Sequence, residues 1–176
     1  MKILKRVLLG IAILVAIPLI IALFVKKEYN VQREITINKP RAEVFDYVRH
    51  LRNQEQYSKW VMTDPAMQKS FRGTDGNVGF VYAWNGNSEA GEGEQEIKGL
   101  KEGEALEVEV RFKRPMEGIM QAPMYTEALS PTATKIKWGV SGRSPYPMNF
   151  MNLFMDRMLG KDLETSLHTL KAILEK

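Results

Sequence analysis

LGKDLETSLHTLKAILEK, residues 159–176, carries the reading on which the fold turns. Leu159, Leu163, Leu167, Leu170 and Leu174 recur at steps of three and four, with Lys161, Glu164, His168, Lys171 and Glu175 between them. That spacing predicts an amphipathic helix with one leucine stripe. The helix is expected to follow Pro147 and to be broken near Gly160, the poorest helix former in the segment. A leucine stripe of this length needs an apolar surface to cover.

That surface is written upstream in alternation. In Ala105–Lys113, Leu106, Val108, Val110 and Phe112 share one face, while Glu107, Glu109 and Arg111 share the other. Further strands are expected at Met67–Phe71, Gly79–Asn85, Gly91–Leu100, Met124–Leu129 and Ala133–Val140. Turn residues separate them: Gly73 to Asn77, Gly86-Asn87, Glu102-Gly103 and Ser130-Pro131. A first strand over Tyr29–Ile37 leads into a helix opened by Asn38 or Pro40, with Val44, Phe45, Val48 and Leu51 on its apolar face. The order is strand, helix, about six antiparallel strands and a long final helix, which is an α+β pattern. Only the last helix is long enough to cover the apolar face of such a sheet. A curved sheet gripping one helix leaves a cavity between them unless large side chains fill it.

Ahead of this domain lies a segment of another kind. Val7 to Val25 holds no charged side chain and, as a helix, would extend roughly 28 Å, close to the hydrocarbon thickness of a bilayer. The run is longer than the apolar core of a signal peptide, and it ends Leu23, Phe24, Val25, Lys26 with no small-x-small cleavage site. A retained single-pass membrane anchor over residues 1–28, with its transmembrane helix at about 7–25, and a domain over 29–176 are therefore expected. Lys2, Lys5 and Arg6 on one flank balance Lys26, Lys27 and Arg33 on the other. The short basic tail ahead of the helix has the form of a signal anchor, which would put the domain on the extracytoplasmic side.

The formal net charge of +4 belongs to the anchor: beyond residue 28, basic and acidic side chains balance at 20 each. Nucleic-acid binding, which needs a concentrated positive face, gets no support from that balance, and no nucleic-acid partner is expected. The chain has no cysteine, which excludes disulfides, thiolate nucleophiles and zinc–cysteine sites. His50 and His168 are the only histidines and sit in no motif, so no catalytic triad is legible and surface roles are expected for both. No metal-ligand spacing appears, and no metal or cofactor is implied. Glu92, Glu94 and Glu96 share one strand face. They read as the solvated outer face, with Gly91, Gly93, Gln95 and Ile97 pointing inward, because a cavity lined by unpaired carboxylates would be costly to desolvate. Gly73, Gly76 and Gly79 lack phosphate-loop spacing and precede a strand, so they read as a hairpin turn.

Several stretches, taken in order, resemble the START and Bet v 1-like superfamily, the SRPBCC proteins, including its polyketide cyclase/dehydrase-like and lipid-transfer members. Ile35, Ile37, Pro40, Glu43, Val44 and Phe45 are similar to the opening strand and first helix. Tyr82, Trp84, Gly86 and Asn87, then Gly91, Gly93, Gln95 and Ile97, are similar to two middle strands. Thr134, Ile136 and Trp138 resemble the last strand, and Asp156, Met158, Gly160, Leu163, Leu167, Leu170 and Lys171 the closing helix. The resemblance covers roughly Tyr29 to Lys176. It implies a helix-grip fold, a curved antiparallel sheet wrapped around a long C-terminal helix, here preceded by one transmembrane helix.

One fold hosts many functions, so function has to come from the site. Pockets are mostly apolar with a few placed polar groups, and methionine adapts to irregular apolar shapes. The expected cavity residues are Trp60, Tyr82, Trp84, Gln95, Ile97, Val108, Trp138, Met151, Met155 and Met158, with Gln95 as a polar contact. The reading is a membrane-tethered binding or carrier domain for an apolar small molecule or lipid. A cyclase-like enzyme orienting its substrate with Gln95, Tyr82 or Arg111, and an interaction module of the chaperone co-activator kind, are the alternatives.

Overall fold

The computed structural model describes residues 2–176. The elements run α1 (Lys2–Phe24), β1 (Glu28–Ile37), α2 (Arg41–Arg49), α3 (Gln54–Tyr57), β2 (Gln68–Arg72), β3 (Val81–Asn85), β4 (Glu92–Lys101), β5 (Ala105–Arg114), β6 (Gly118–Gln121), β7 (Met124–Ser130), β8 (Ala133–Arg143) and α4 (Asn152–Leu174). A 3₁₀ turn at Met148–Met151 leads into α4.

All eight strands join one antiparallel sheet in the order β1-β8-β6-β5-β4-β3-β2, with β7 pairing β5 and β8. α4 packs across the sheet's inner face, which is the helix-grip fold. Every strand expected from alternation is present within a few residues. β6 was not legible: it is short, and Pro123, with no N–H for the ladder, cuts it off from β7. The two strands follow one path along β8, since the Gly139 N–H donates to the Pro123 carbonyl at 2.9 Å across the gap. Irregular register between Glu92 and Gly93, and between Ile97 and Gly99, interrupts the β4–β5 pairing. Such bulges bend a sheet and deepen its concave face.

Leu163, Leu167, Leu170 and Leu174 of α4 are buried against that face, among Val31, Ile37, Ile97, Leu106 and Ile136. α4 runs unbroken through Gly160, contrary to the expected interruption. The glycine serves close packing: a Cβ there would collide with the Arg33 guanidinium reaching over from β1. Arg33 bonds Asp156 at 2.9 Å and Glu164 at 2.6 Å, on either side of Gly160. A mid-helix glycine costs about 1 kcal/mol relative to alanine, which these charge-assisted bonds offset.

α1 is long and apolar enough to cross a membrane and is exposed along most of its length. Its C-terminal end is different. Ala22 is buried, Pro18 and Leu19 are half-buried, and the last turns lie against the 3₁₀ turn. The Asn149 side-chain amide donates to the carbonyls of Ala22 (2.6 Å) and Val25 (2.8 Å). Asn152 donates to those of Lys26 and Lys27, both at 2.9 Å. Carbonyls at a helix end lack intrahelical partners, and here side chains from the start of α4 supply them.

Candidate functional site

The inner face of the sheet is built in rows across the strands. Tyr82 pairs with Gln95, Gln95 with Val110 and Val110 with Met120, so one row spans β3, β4, β5 and β6. The neighbouring row runs Trp84, Gly93, Phe112, Gly118. Gly93 has no side chain because the Trp84 indole occupies that space; a Cβ would sit 2.8 Å from its ring. The indole packs edge-on to Phe112 at 6.0 Å, and its N–H donates to the Ala90 carbonyl at 3.0 Å.

These rows floor a cavity of about 270 Å³. Leu159 of α4 and the segment from Gln54 to Met67 roof it, and Trp138 and Ala122 complete the wall. The Trp60 indole lies edge-on to Trp138 at 5.7 Å and donates to Asp162 at 3.1 Å, which fixes this roof to α4. Deep in the cavity Gln95 donates to the Gln54 side chain at 3.1 Å. Among the described residues the Trp138 indole N–H has no hydrogen-bond partner, although Trp138 is only 2% exposed. An orphaned buried donor of this kind costs about 1–3 kcal/mol.

Among the described residues, Tyr82 and Glu89 are the only ionisable side chains lining the cavity. Burial, followed by the Glu55 carboxylate that accepts its hydrogen bond at 3.2 Å, pushes the Tyr82 hydroxyl above its ordinary range. It is a neutral donor at physiological pH. Glu55 is in turn paired with Lys69 at 2.9 Å. Burial likewise raises Tyr57, whose hydroxyl has no partner among the described residues.

Trp60, Tyr82, Trp84, Gln95 and Trp138, five of the expected cavity residues, meet around this space. The other five lie elsewhere. Ile97 and Val108 pair with each other one row further along and fill core. Met155 packs on the core beside Leu159, whereas Met151 and Met158 are 37% and 53% exposed. Alternation did mark Val110 and Phe112 as inward, and Leu159 as the first leucine of its stripe. Gln54, Ser58 and Ala90 carried no such signal, because they sit in turns and short helices without a period, and Met67, expected to open a strand, lies just ahead of β2.

Arg111, suggested for an orienting role, faces the other way. On the outer surface it bonds Glu94 (2.9 Å), Glu96 (2.7 Å) and Glu109 (2.6 Å). Arg72 and Arg111 hold the Glu94 carboxylate below the usual range, and Arg111 does the same for Glu96. These carboxylates are outer-face groups, though paired and not free. Gly73, Gly76 and Gly79 adopt positive φ in the link between β2 and β3. There Asp75 accepts the Leu51 N–H at 2.8 Å and Arg49 donates to the Gly76 carbonyl at 2.9 Å.

No family model matches the chain, and no curated protein is similar enough to count as a relative. Solved structures do match. Norcoclaurine synthase from Thalictrum flavum, solved with dopamine and hydroxybenzaldehyde, superposes with a TM-score of 0.64 at 9% identity, over 88% of this chain and 91% of that one. A protein from Chromobacterium violaceum gives 0.58 at 14% identity, over 84% and 97%. Ara h 8.0201 gives 0.57 at 16% identity, over 84% and 97%. At such identities the likeness speaks for architecture alone. The chain has the helix-grip fold of the Bet v 1-like proteins, with an apolar helix added at its N-terminus.

Proposed function

We propose that this protein is a membrane-tethered binding domain that holds one apolar small molecule or single-chain lipid between its sheet and its C-terminal helix. The observation that carries the reading is the cavity itself: about 270 Å³, walled by Trp60, Trp84, Phe112, Met120, Trp138 and Leu159. That volume is just below the roughly 300–1,000 Å³ usual for ligand pockets, which suits a compact molecule better than a two-chain lipid. Gln95 and Gln54, already bonded to each other, leave spare amide capacity for a polar contact with an oxygen-bearing ligand.

Binding is favoured over acid–base chemistry because the walls offer one neutral tyrosine and one glutamate at the rim, not a convergent pair of titratable groups. α1 supplies the tether over residues 1–28, with residues 29–176 as the binding domain. The short basic tail with Lys2, Lys5 and Arg6, ahead of the uncharged run of α1, has the form of a signal anchor, which favours the extracytoplasmic side for that domain.

The test is a cavity-filling variant. Ala122→Phe should keep the thermal midpoint within a few degrees while filling the cavity. Full-length protein purified from its host and released from nanodiscs in a native mass spectrometer should carry an apolar compound. The Ala122→Phe protein should not. A folded variant that retains the compound, or a wild type that neither carries one nor takes up an added neutral polyaromatic probe, would sink the reading.

A further inference from the structure

The start of the gripping helix carries apolar side chains that the fold does not cover. Met148, Met151, Phe154 and Met158 recur at steps of three, three and four, so they form one stripe. They are 40%, 37%, 45% and 53% exposed. Leu159, the residue after Met158, lines the cavity, so the stripe and the cavity share one stretch of helix on faces about 100° apart.

The stripe begins where α1 ends. Asn149, between Met148 and Met151 and itself buried, donates to the carbonyls of Ala22 and Val25. The 3₁₀ turn therefore lies beside the last turns of the apolar helix and not beyond its tip, consistent with burial of Ala22 and half-burial of Pro18 and Leu19. At 1.5 Å per residue, Ala22 is about 4–5 Å inside the end of the uncharged run at Val25. If that run fills the hydrocarbon layer, the turn carrying Met148 and Met151 stands at the depth where headgroups meet acyl chains.

Strand register brings the cavity to the same end of the molecule. Glu28, the first residue of β1, pairs with Arg143, and the adjacent Gly142 pairs with Met120. Across β6 and β5 this edge continues to Phe112 and then, through Gly93, to Trp84. Met120, Phe112 and Trp84 are the cavity residues on this end, with exposed Glu89 at the rim.

From this juxtaposition we infer that the stripe Met148, Met151, Phe154 and Met158 docks into the interfacial layer of the bilayer that α1 spans, turning the mouth of the cavity toward the membrane. The occupant of the stripe is lipid, because its first turn is bonded to a helix whose own solvent is lipid. The cavity then exchanges its ligand with the membrane directly instead of through water. This inference rests on the tethered-binder reading above and adds to it the surface that meets the bilayer and the direction of exchange.

The absence of native cysteine makes the test direct. Full-length single-cysteine variants Met151→Cys, Phe154→Cys and Met158→Cys are labelled with a small environment-sensitive fluorophore and reconstituted in phosphatidylcholine–phosphatidylglycerol vesicles. His168→Cys, exposed further along the same helix, is the aqueous reference, and Ile13→Cys, in the middle of α1, the membrane reference. The expected result is several-fold stronger quenching by bromolipids at residues 151, 154 and 158 than at 168, with iodide quenching in the opposite order. If residue 13 is quenched by bromolipid while 151, 154 and 158 behave like 168, α1 spans but the stripe does not dock, and the inference is overturned while the tether stands. If residue 13 is itself quenched by iodide, the tether fails and the inference fails with it.

Discussion

The two halves of α4 obey the same helical period and are held by different forces. From Leu163 onward the helix is fixed by leucines: Leu163, Leu167, Leu170 and Leu174 are between 0% and 8% exposed and dock on the sheet. Before Gly160 the exposed side chains include Met151, Phe154 and Met158, and the fixing is polar. Arg33 clamps Asp156 and Glu164, and Asn149 and Asn152 hold the end of α1. One half closes the core. The other leaves a cavity beneath it and an apolar stripe above it. A single helix can thus be structural at one end and available for binding at the other, with the changeover near the residue where Arg33 crosses.

The sharpest way to break that comparison is a charge in the leucine half. Leu167→Asp should unfold the domain, since Leu167→Ala alone would cost about 2–5 kcal/mol and an unpaired buried carboxylate adds its desolvation. That sum approaches the whole stability of an ordinary domain, about 5–15 kcal/mol. His168→Asp, one residue on and exposed, should leave the urea midpoint nearly unchanged. Equal tolerance at both positions would mean that the helix does not grip the sheet through this face.

Sequence period made the fold legible because both periods were clean: alternation in Ala105–Lys113 and the leucine stripe after Gly160. It made the cavity only half legible, for geometric reasons. Trp84, Tyr82 and Gln95 were recognisable because alternation fixes which face a strand residue takes. It does not say which row along that face is left open, so Ile97 and Val108 were assigned to the cavity when they fill the core. On the helix, each step of four residues turns the side chain about 40°, so stepping back from Leu163 to Met151 rotates it by about 120°. Met158, five residues from Leu163, is turned by about 140°. Both methionines are expected as walls from the sequence, and their phase turns them outward. Gly160 was misread as a break for a similar reason, because nothing local to the helix announces that Arg33 from β1 needs the space.

The polar fastening of the first half predicts a pH dependence that the second half lacks. The Arg33 guanidinium, by hydrogen bonding first and charge second, holds the Asp156 carboxyl below its ordinary range. A carboxylate with a lowered folded pKa contributes its stabilisation in full above the unfolded value, about 3.9 for aspartate, and loses it as pH falls through the lower folded value. Protection factors for amides 152–160 should therefore drop on acidification through that window, while those for 163–174 hold. Because Asp156 is exposed, the effect is local loosening and not global unfolding. Arg33→Met should give the low-pH pattern already at neutral pH. Parallel loss in both halves would show that α4 opens as one unit and that the division drawn here is wrong.

The smallest expected effect tests the exposed stripe. Met158 and Leu163 lie on one helix, five residues apart, and both are large and apolar, yet one is 53% and the other 0% exposed. Replacing a side chain that the fold does not bury removes little from the folded state, so Met158→Ser should change unfolding free energy by no more than about 0.5 kcal/mol. The exchange of methionine for serine costs only a few tenths of a kcal/mol in helix propensity, which stays inside that bound. Leu163→Ser should cost several times more, because it opens a hole in the core and buries a hydroxyl there. Chemical denaturation of the two full-length variants in the same detergent measures the contrast. If Met158→Ser is as costly as Leu163→Ser, the first half of α4 is packed as tightly as the second in solution, the stripe has a protein partner, and it is not free to meet a membrane.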